Sequence, residues 1–195
     1  MEIAKGIHSH SYQQLDLSDY NNLDWEIAID ILDKRLTERY IEPVEILRMA
    51  EKDKPPSEKK FGFTIMAINC LLIETVQSFY EGVIDSSRLS KALFKNFLLN
   101  RENFKVHFPN QADAKFFYEN YRCGILHQAQ TFKGARIWTV GQLINRTGQE
   151  VVINRDLFYQ ALVKEKDLYI NLLRGRNDTV LLANFKKKMD FIAST

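Results

Sequence analysis

Apolar residues recur at intervals of three and four positions along most of the chain, which is the period of the buried face of an amphipathic α-helix. The first such run begins near Asn22 and places Trp25, Ile29 and Leu32 on one face. A second helical piece, at 44–50, follows directly after a proline, a residue that the first turn of a helix accepts. The pattern therefore predicts a helical protein from its first third onward.

Three neighbouring regions differ in character. Residues 1–21 lack a clear period and are predicted to form an irregular N-terminal segment. The charged, proline-containing stretch EKDKPPSEKK, at 51–60, is typical of a solvated loop. The segment at 61–83 is apolar around most of its circumference as far as Glu74, and Gly82 lies near its end. It is therefore predicted to be the central and most buried helix.

A later helix is predicted to open at Asn110, which with Asp113 resembles a capping arrangement, and to run to about Gln130. Within 131–154 the segments RIWTVGQL and QEVVIN are rich in β-branched and aromatic residues, and they flank the turn-like NRTGQ. This pattern predicts a short β-hairpin near residues 136–154.

Helical spacing returns after the hairpin, with Asn154 as the cap and Gly175 as the stop, and TVLLANFKKKMDFIA gives a final helix. The length suits one compact domain, and 45% hydrophobic residues are enough for a core. The prediction is a single all-α domain, residues 1–195, built as a bundle of about five to seven helices with a β-hairpin insertion.

Charge and composition exclude several classes of protein. The chain has 27 basic and 25 acidic side chains, a net charge of +2, so any site for a polyanion must be local. It opens with no signal-peptide pattern, and no uninterrupted apolar run approaches the length of a membrane span, which predicts a cytoplasmic protein. Cys70 and Cys123 have no second ligand at metal spacing, so neither a disulfide nor a metal site is predicted, and no cofactor motif is present.

The stretch FFYENYRCGILHQAQ places Arg122 and His127 in an otherwise apolar helical pattern. Residues five positions apart are separated by about 140° around an ideal helix. Convergence of the two therefore depends on the long arginine stem and on Gly124, which eases departure from ideal geometry. Glu119 falls between the two directions and could orient the guanidinium, while Asn120 flanks the histidine side.

An arginine and a histidine together suit the cleavage of a phosphate ester. Guanidinium is a bidentate donor for phosphate, and imidazole exchanges a proton near neutral pH. In RNA the 2′-hydroxyl is an internal nucleophile, so such a pair could cleave RNA without a metal.

Simpler interpretations remain open for the same residues. Arg122 could form a surface ion pair with Glu119, and His127 could be a histidine at the edge of the core. Glu74 could be an acid at a helix end that faces water. The basic clusters at 186–188, Lys59 with Lys60, and Arg174 with Arg176 could contact RNA phosphates or could only keep the surface soluble.

The segment YRCGILHQAQ, on a late helix of a helical bundle, resembles the signature of the HEPN superfamily (higher eukaryotes and prokaryotes nucleotide-binding), in which an arginine precedes a histidine by four to six residues. The likeness extends from roughly Phe61 to Gly175. Cys123 stands where the family usually has a polar residue. The resemblance implies a metal-independent RNase of a toxin–antitoxin, antiviral or stress system, in which two copies dimerise into a composite site. It also implies that Arg122 and His127 are the catalytic residues.

The leading hypothesis is a cytoplasmic homodimer that cleaves RNA without metal or cofactor and leaves 2′,3′-cyclic phosphate and 5′-hydroxyl ends. Arg122 would stabilise charge on the phosphorane and His127 would move the proton, while Glu119, Asn120 and Glu74 would hold the pair in position. The rival hypothesis is a non-catalytic module for dimerisation, partner binding or nucleotide binding. An antitoxin-like regulator with a separate partner protein is a third alternative.

Overall fold

The computed structural model describes all residues, Met1–Thr195, as a mostly helical protein with two small sheets. The prediction of an irregular segment at 1–21 is wrong for residues 2–13, which contain two short strands and a helix, while residues 14–21 form neither helix nor strand. Strand β1, Glu2–Ala4, pairs antiparallel with strand β2, Ile7–His8, and helix α1, Ser9–Gln13, follows. Tyr12 is buried and its hydroxyl donates to Asp190 Oδ1 at 3.0 Å, which ties this segment to the end of the chain.

Five helices of eleven residues or more form the body of the protein. They are α2, Asp24–Leu36; α4, Gly62–Glu81; α5, Ser90–Asn100; α8, Arg155–Gly175; and α9, Thr179–Ser194.

Shorter helical pieces connect these long helices. A π-helical turn at Thr37–Ile41 continues α2 into α3, Glu42–Met49. The charged loop at 51–60 contains only a short 3₁₀ turn, Pro56–Glu58. Helix α6, Gln111–Phe117, continues through a second π-helical turn, Tyr118–Arg122, into α7, Cys123–Gln128.

Helix α4 is the central buried helix, as its apolar circumference predicts. Ile65, Met66, Ile73, Val76 and Phe79 are fully buried, and the helix ends at Gly82 in the left-handed conformation. By length and composition alone α4 could cross a membrane, but 56% of its most apolar 18-residue window is buried inside the protein. The same apolarity therefore accounts for its place in the core.

The strands after α7 form a three-stranded sheet and not a simple hairpin. Strand β3, Ala135–Trp138, pairs parallel with β5, Glu150–Asn154, and β4, Ile144–Thr147, pairs antiparallel with the other side of β5. Only Gly148 and Gln149 of the predicted turn NRTGQ lie between β4 and β5, because Asn145–Thr147 belong to β4, and RIW is not part of that hairpin. Its pairing with β5 joins residues about sixteen positions apart, which the local pattern could not specify.

Local capping signals correctly identified two helix starts. The Asn110 side chain accepts from Asp113 N–H at 3.0 Å at the start of α6, and the Asn154 side chain accepts from Asp156 N–H at 3.1 Å at the start of α8. Helices α6 and α8 then pack through Phe117 and Phe158, whose rings stack with centroids 5.3 Å apart. This contact fixes the helix that carries Arg122 against the core.

Candidate functional site

Arg122 and His127 converge within one chain. Arg122 Nη1 lies 3.2 Å from His127 Nε2, and Arg122 Nη2 donates to Glu74 Oε2 at 3.2 Å. Because a guanidinium has no acceptor atom, it must be the donor in both contacts, and His127 Nε2 is the acceptor in the tautomer that carries its proton on Nδ1. The three side chains form a continuous chain of hydrogen bonds from helix α4 to the exposed end of α7.

The backbone around Arg122 departs from ideal α-helix. Tyr118–Arg122 is a π-helical turn in which Cys123 N–H bonds to the carbonyl of Tyr118, five residues back. The widened turn changes the direction in which Arg122 and the whole of α7 point relative to α6. Insertions of this kind occur frequently at functional sites.

The end of α7 is closed by a chain segment that folds back across it. Ala129 adopts the left-handed conformation, φ 53°, and Gln130 N–H bonds to the carbonyl of Gly124 at 3.3 Å. A Cβ at Gly124 would collide with the carbonyl of Gln130, so glycine is required by this close approach. The turn leaves His127 exposed at the last turn of the helix.

Glu74 anchors the site from helix α4. Its Oε2 accepts from Arg122 and also from Ser90 Oγ at 2.7 Å, so α4, α5 and the π-helical turn meet at one carboxylate. The Glu74 and Arg122 side chains are 16% and 15% exposed, which places the pair at the edge of the core and within reach of solvent. The guanidinium carbon also lies 5.5 Å from the centroid of the Tyr118 ring.

Glu119 does not orient Arg122, which corrects the expected geometry. Its carboxylate pairs with Lys91 Nζ at 2.9 Å and lies 4.0 Å from Lys115 Nζ. The hydrogen bond from Lys91 holds the pKa of Glu119 below its usual range. The side chain therefore faces the start of α5, and Glu74 takes the position beside the guanidinium.

Asn120 also acts away from the Arg122 and His127 pair. It is buried, its Nδ2 donates to the carbonyl of Phe116 at 2.9 Å, and its own carbonyl accepts from Phe132 N–H at 3.2 Å. It holds the segment that returns across α7, so its effect on His127 is indirect.

The two cysteines differ in burial, and the Cys70 thiol is not suited to act as a nucleophile. Burial raises the pKa of the Cys70 thiol to about 12, so it stays protonated at neutral pH. Cys123 is partly buried, and both thiols are free. No group of three or more His, Cys, Asp or Glu side chains is placed to hold a metal ion.

Most of the basic clusters seen in the sequence have partners within the chain. Lys186 Nζ pairs with Asp190 at 2.6 Å and Lys188 Nζ donates to the carbonyl of Ile84 at 2.8 Å. Arg174 and Arg176 form ion pairs with acidic residues of α2. Arg174 and Arg176 thus join the end of α8 to α2, and Lys186 pairs within its own helix, whereas neither Lys59 nor Lys60 has an ion-pair partner.

The site can still bind an anion. Two of the five guanidinium N–H groups of Arg122 are used, and its buried Nε has no partner. His127 is exposed and the Arg122 side chain is 15% exposed, so a ligand would approach the pair from the side of His127.

No protein-family model, curated protein or solved structure matches this chain.

Proposed function

We propose that the protein is a metal-independent endoribonuclease of HEPN type that uses Arg122 and His127. The observation that carries the proposal is the 3.2 Å contact between Arg122 Nη1 and His127 Nε2, made beside a π-helical turn and open to solvent. A phosphate-binding cation and an imidazole in contact supply two of the groups that cleavage by the 2′-hydroxyl of RNA uses, one to stabilise charge and one to accept a proton. The cellular setting proposed is cytoplasmic, as a toxin or an antiviral or stress effector.

The reaction follows from the roles of these groups. When RNA binds, the guanidinium N–H that bonds to His127 donates to a phosphoryl oxygen instead. His127 Nε2 is then free to accept the proton of the 2′-hydroxyl. The 2′-oxygen then forms a bond to phosphorus and the bond from phosphorus to the 5′-oxygen breaks. Arg122 stabilises the charge on the phosphoryl oxygens while Glu74 holds the guanidinium in place.

The leaving 5′-oxygen needs a proton, and a second copy of the chain can supply it. We infer a homodimer in which the histidine of the second copy, in its protonated form, acts as the acid. Leu71 supports a contact here, because it lies one turn before Glu74 on α4 and is 46% exposed. Light scattering should give a dimer that Leu71→Lys weakens; a wild-type monomer at micromolar concentration would contradict the composite site.

The direct test is cleavage of a mixed RNA pool in EDTA by the wild type and by His127→Ala. Loss of the proton-transfer group should lower the rate at least 100-fold. The products of the wild type should carry 2′,3′-cyclic phosphate and 5′-hydroxyl ends.

The matched control is His10→Ala, which removes an exposed histidine far from His127 in sequence and should leave cleavage unchanged. Circular dichroism should give the same helix content for all three proteins. Cleavage that requires metal, or that survives His127→Ala, would contradict the proposal.

A non-catalytic module is the second candidate, and one observation favours it. Both Nη atoms of Arg122 are already engaged by groups of the same chain, as in a structural ion pair. This alternative predicts no cleavage by the wild type at any RNA concentration, together with stable binding to a second copy or to a partner protein.

A further inference from the structure

A cavity of about 340 Å³ lies where the charged loop, the first turn of α4 and one edge of the three-stranded sheet meet. Because β3 and β5 are parallel, with Trp138 opposite Asn154, their carboxyl ends lie side by side, and Arg155 follows at the same edge. Gly62 lets α4 approach closely, since a Cβ there would be 3.3 Å from Ile137 Cγ2. The cavity is therefore built by three separate parts of the fold.

Two basic residues, Arg155 and Lys59, line this cavity. Arg155 is 2% exposed, its Nη2 pairs with Glu51, and its buried Nε has no hydrogen-bond partner. Its Nη1 lies 3.5 Å from where a Cβ on Gly62 would be, at the lining of the cavity. Lys59, also in the lining, forms no ion pair, so its charge is not neutralised within the chain.

The first turn of α4 also contributes to this lining, through Gly62. The helix is twenty residues long and begins at Gly62 with no side-chain cap. The carboxylate of Glu51 lies just before this turn, where it accepts hydrogen bonds from the backbone N–H groups of Lys60 and, at 2.9 Å, of Phe61. The following N–H groups have no carbonyl within the helix to bond, and the helix dipole favours negative charge beside them.

Two partly exposed apolar side chains belong to the same lining. Trp138 is 50% exposed and Val140 is 49% exposed, and both line the cavity. The other tryptophan, Trp25, is fully buried in the core. An indole that remains half exposed in the lining of a cavity offers a stacking surface for a planar ring.

We propose that this cavity binds a small phosphate monoester that carries a flat ring. The phosphate would lie against Lys59, Arg155 and the first turn of α4, and the ring would stack on Trp138. The volume falls within the range of ligand sites, at about 300–1,000 Å³. The site is separate from Arg122, because Gly62 and Glu74 are twelve residues and so about 18 Å apart along α4.

The test uses AMP as the probe and the fluorescence of Trp138 as the signal. AMP should quench the tryptophan emission to saturation, while buried Trp25 supplies a constant background. Adenosine alone and inorganic phosphate alone should each bind at least tenfold more weakly, because adenosine lacks the phosphate and inorganic phosphate lacks the ring. Absence of saturable quenching by AMP up to millimolar concentration would overturn the proposal.

Substitutions at neighbouring lysines separate the site from general surface charge. Lys59→Gln and Lys59→Glu should weaken AMP binding about tenfold or more, whereas Lys60→Glu makes the same charge change outside the lining and should have little effect. Trp138→Ala should weaken binding measured by calorimetry, and His127→Ala should not. Equal losses for Lys59→Glu and Lys60→Glu, or full affinity in Trp138→Ala, would overturn the assignment.

Discussion

Two of the arginine–glutamate pairs that join distant parts of the chain lie beside helix α4, and they differ in burial. Arg155 and Glu51 are 2% and 1% exposed, and the carboxylate also accepts two backbone N–H bonds. Arg122 and Glu74 are 15% and 16% exposed, and the guanidinium continues to His127 on the solvent side. Each pair is anchored to α4, one just before its first turn and the other in its second half.

Because of this difference in burial, we expect the Arg155–Glu51 pair to contribute to stability and the Arg122–Glu74 pair to contribute to catalysis. A pair withdrawn from water is held by its surroundings, because removal of either partner leaves an uncompensated charge in the protein interior. A pair at the edge of the core keeps access to solvent and can exchange a partner for a phosphate. Burial of the ion pair, more than its presence, therefore indicates which arginine is available for catalysis.

The largest effect is expected from Glu51→Gln, which removes the counter-charge of Arg155. The substitution should lower the free energy of unfolding by about 3–5 kcal/mol, because the guanidinium stays buried without its partner. Urea denaturation at pH 7 measures the change. Glu58→Gln, in the same loop but exposed, is the matched control and should leave the midpoint almost unchanged. A loss below about 1 kcal/mol for Glu51→Gln would show that this pair is no more important than a surface pair.

Lowering the pH should gradually remove the contribution of the Glu51–Arg155 pair to the free energy of unfolding. Burial alone would raise the pKa of Glu51, but the N–H bonds from Lys60, Phe61 and Arg155 outweigh it and hold the pKa below the usual 4.5. The folded state therefore favours the ionised carboxylate, so its contribution is complete above pH 4.5 and is lost as the pH falls through the folded-state pKa. The stability difference between the wild type and Glu51→Gln should shrink as the pH is lowered below 4.5. A constant difference from pH 7 to pH 3 would contradict this linkage.

A smaller change in stability, but a clear change in activity, is expected from Glu74→Gln. The amide keeps hydrogen-bonding capacity toward Ser90 and Arg122 but loses the charge, so the free energy of unfolding should fall by about 1–2 kcal/mol. RNA cleavage at saturating substrate should fall by about tenfold because the guanidinium is held less firmly. Glu74→Asp, which restores the charge, should recover part of the rate. Unchanged cleavage in the folded Glu74→Gln protein would limit Glu74 to a structural role.

The sequence revealed local features of the fold and missed the distant ones. Asn110 and Asn154 were recognisable as caps because their partners lie two or three residues ahead. The parallel pairing of β3 with β5 depends on contacts across the loop that contains β4, which no short pattern encodes. The π-helical turn has no sequence signal of its own, so helical periodicity alone could not orient Arg122 and α7 relative to α6.

Whether Glu119 or Glu74 pairs with Arg122 also depends on contacts between distant parts of the chain. The smallest predicted effect on stability and cleavage therefore comes from a substitution at Glu119. Glu119 is three residues before Arg122, and proximity in sequence made it the expected partner. In the folded chain it bonds to Lys91, and Glu74, forty-eight residues away, holds the guanidinium. Glu119→Gln should therefore leave both the unfolding midpoint and the RNA cleavage rate within error of the wild type, since surface pairs contribute little. Parallel assays with Glu74→Gln decide the matter: a larger loss of cleavage in Glu119→Gln would mean that Arg122 turns toward its neighbour in sequence when RNA is bound.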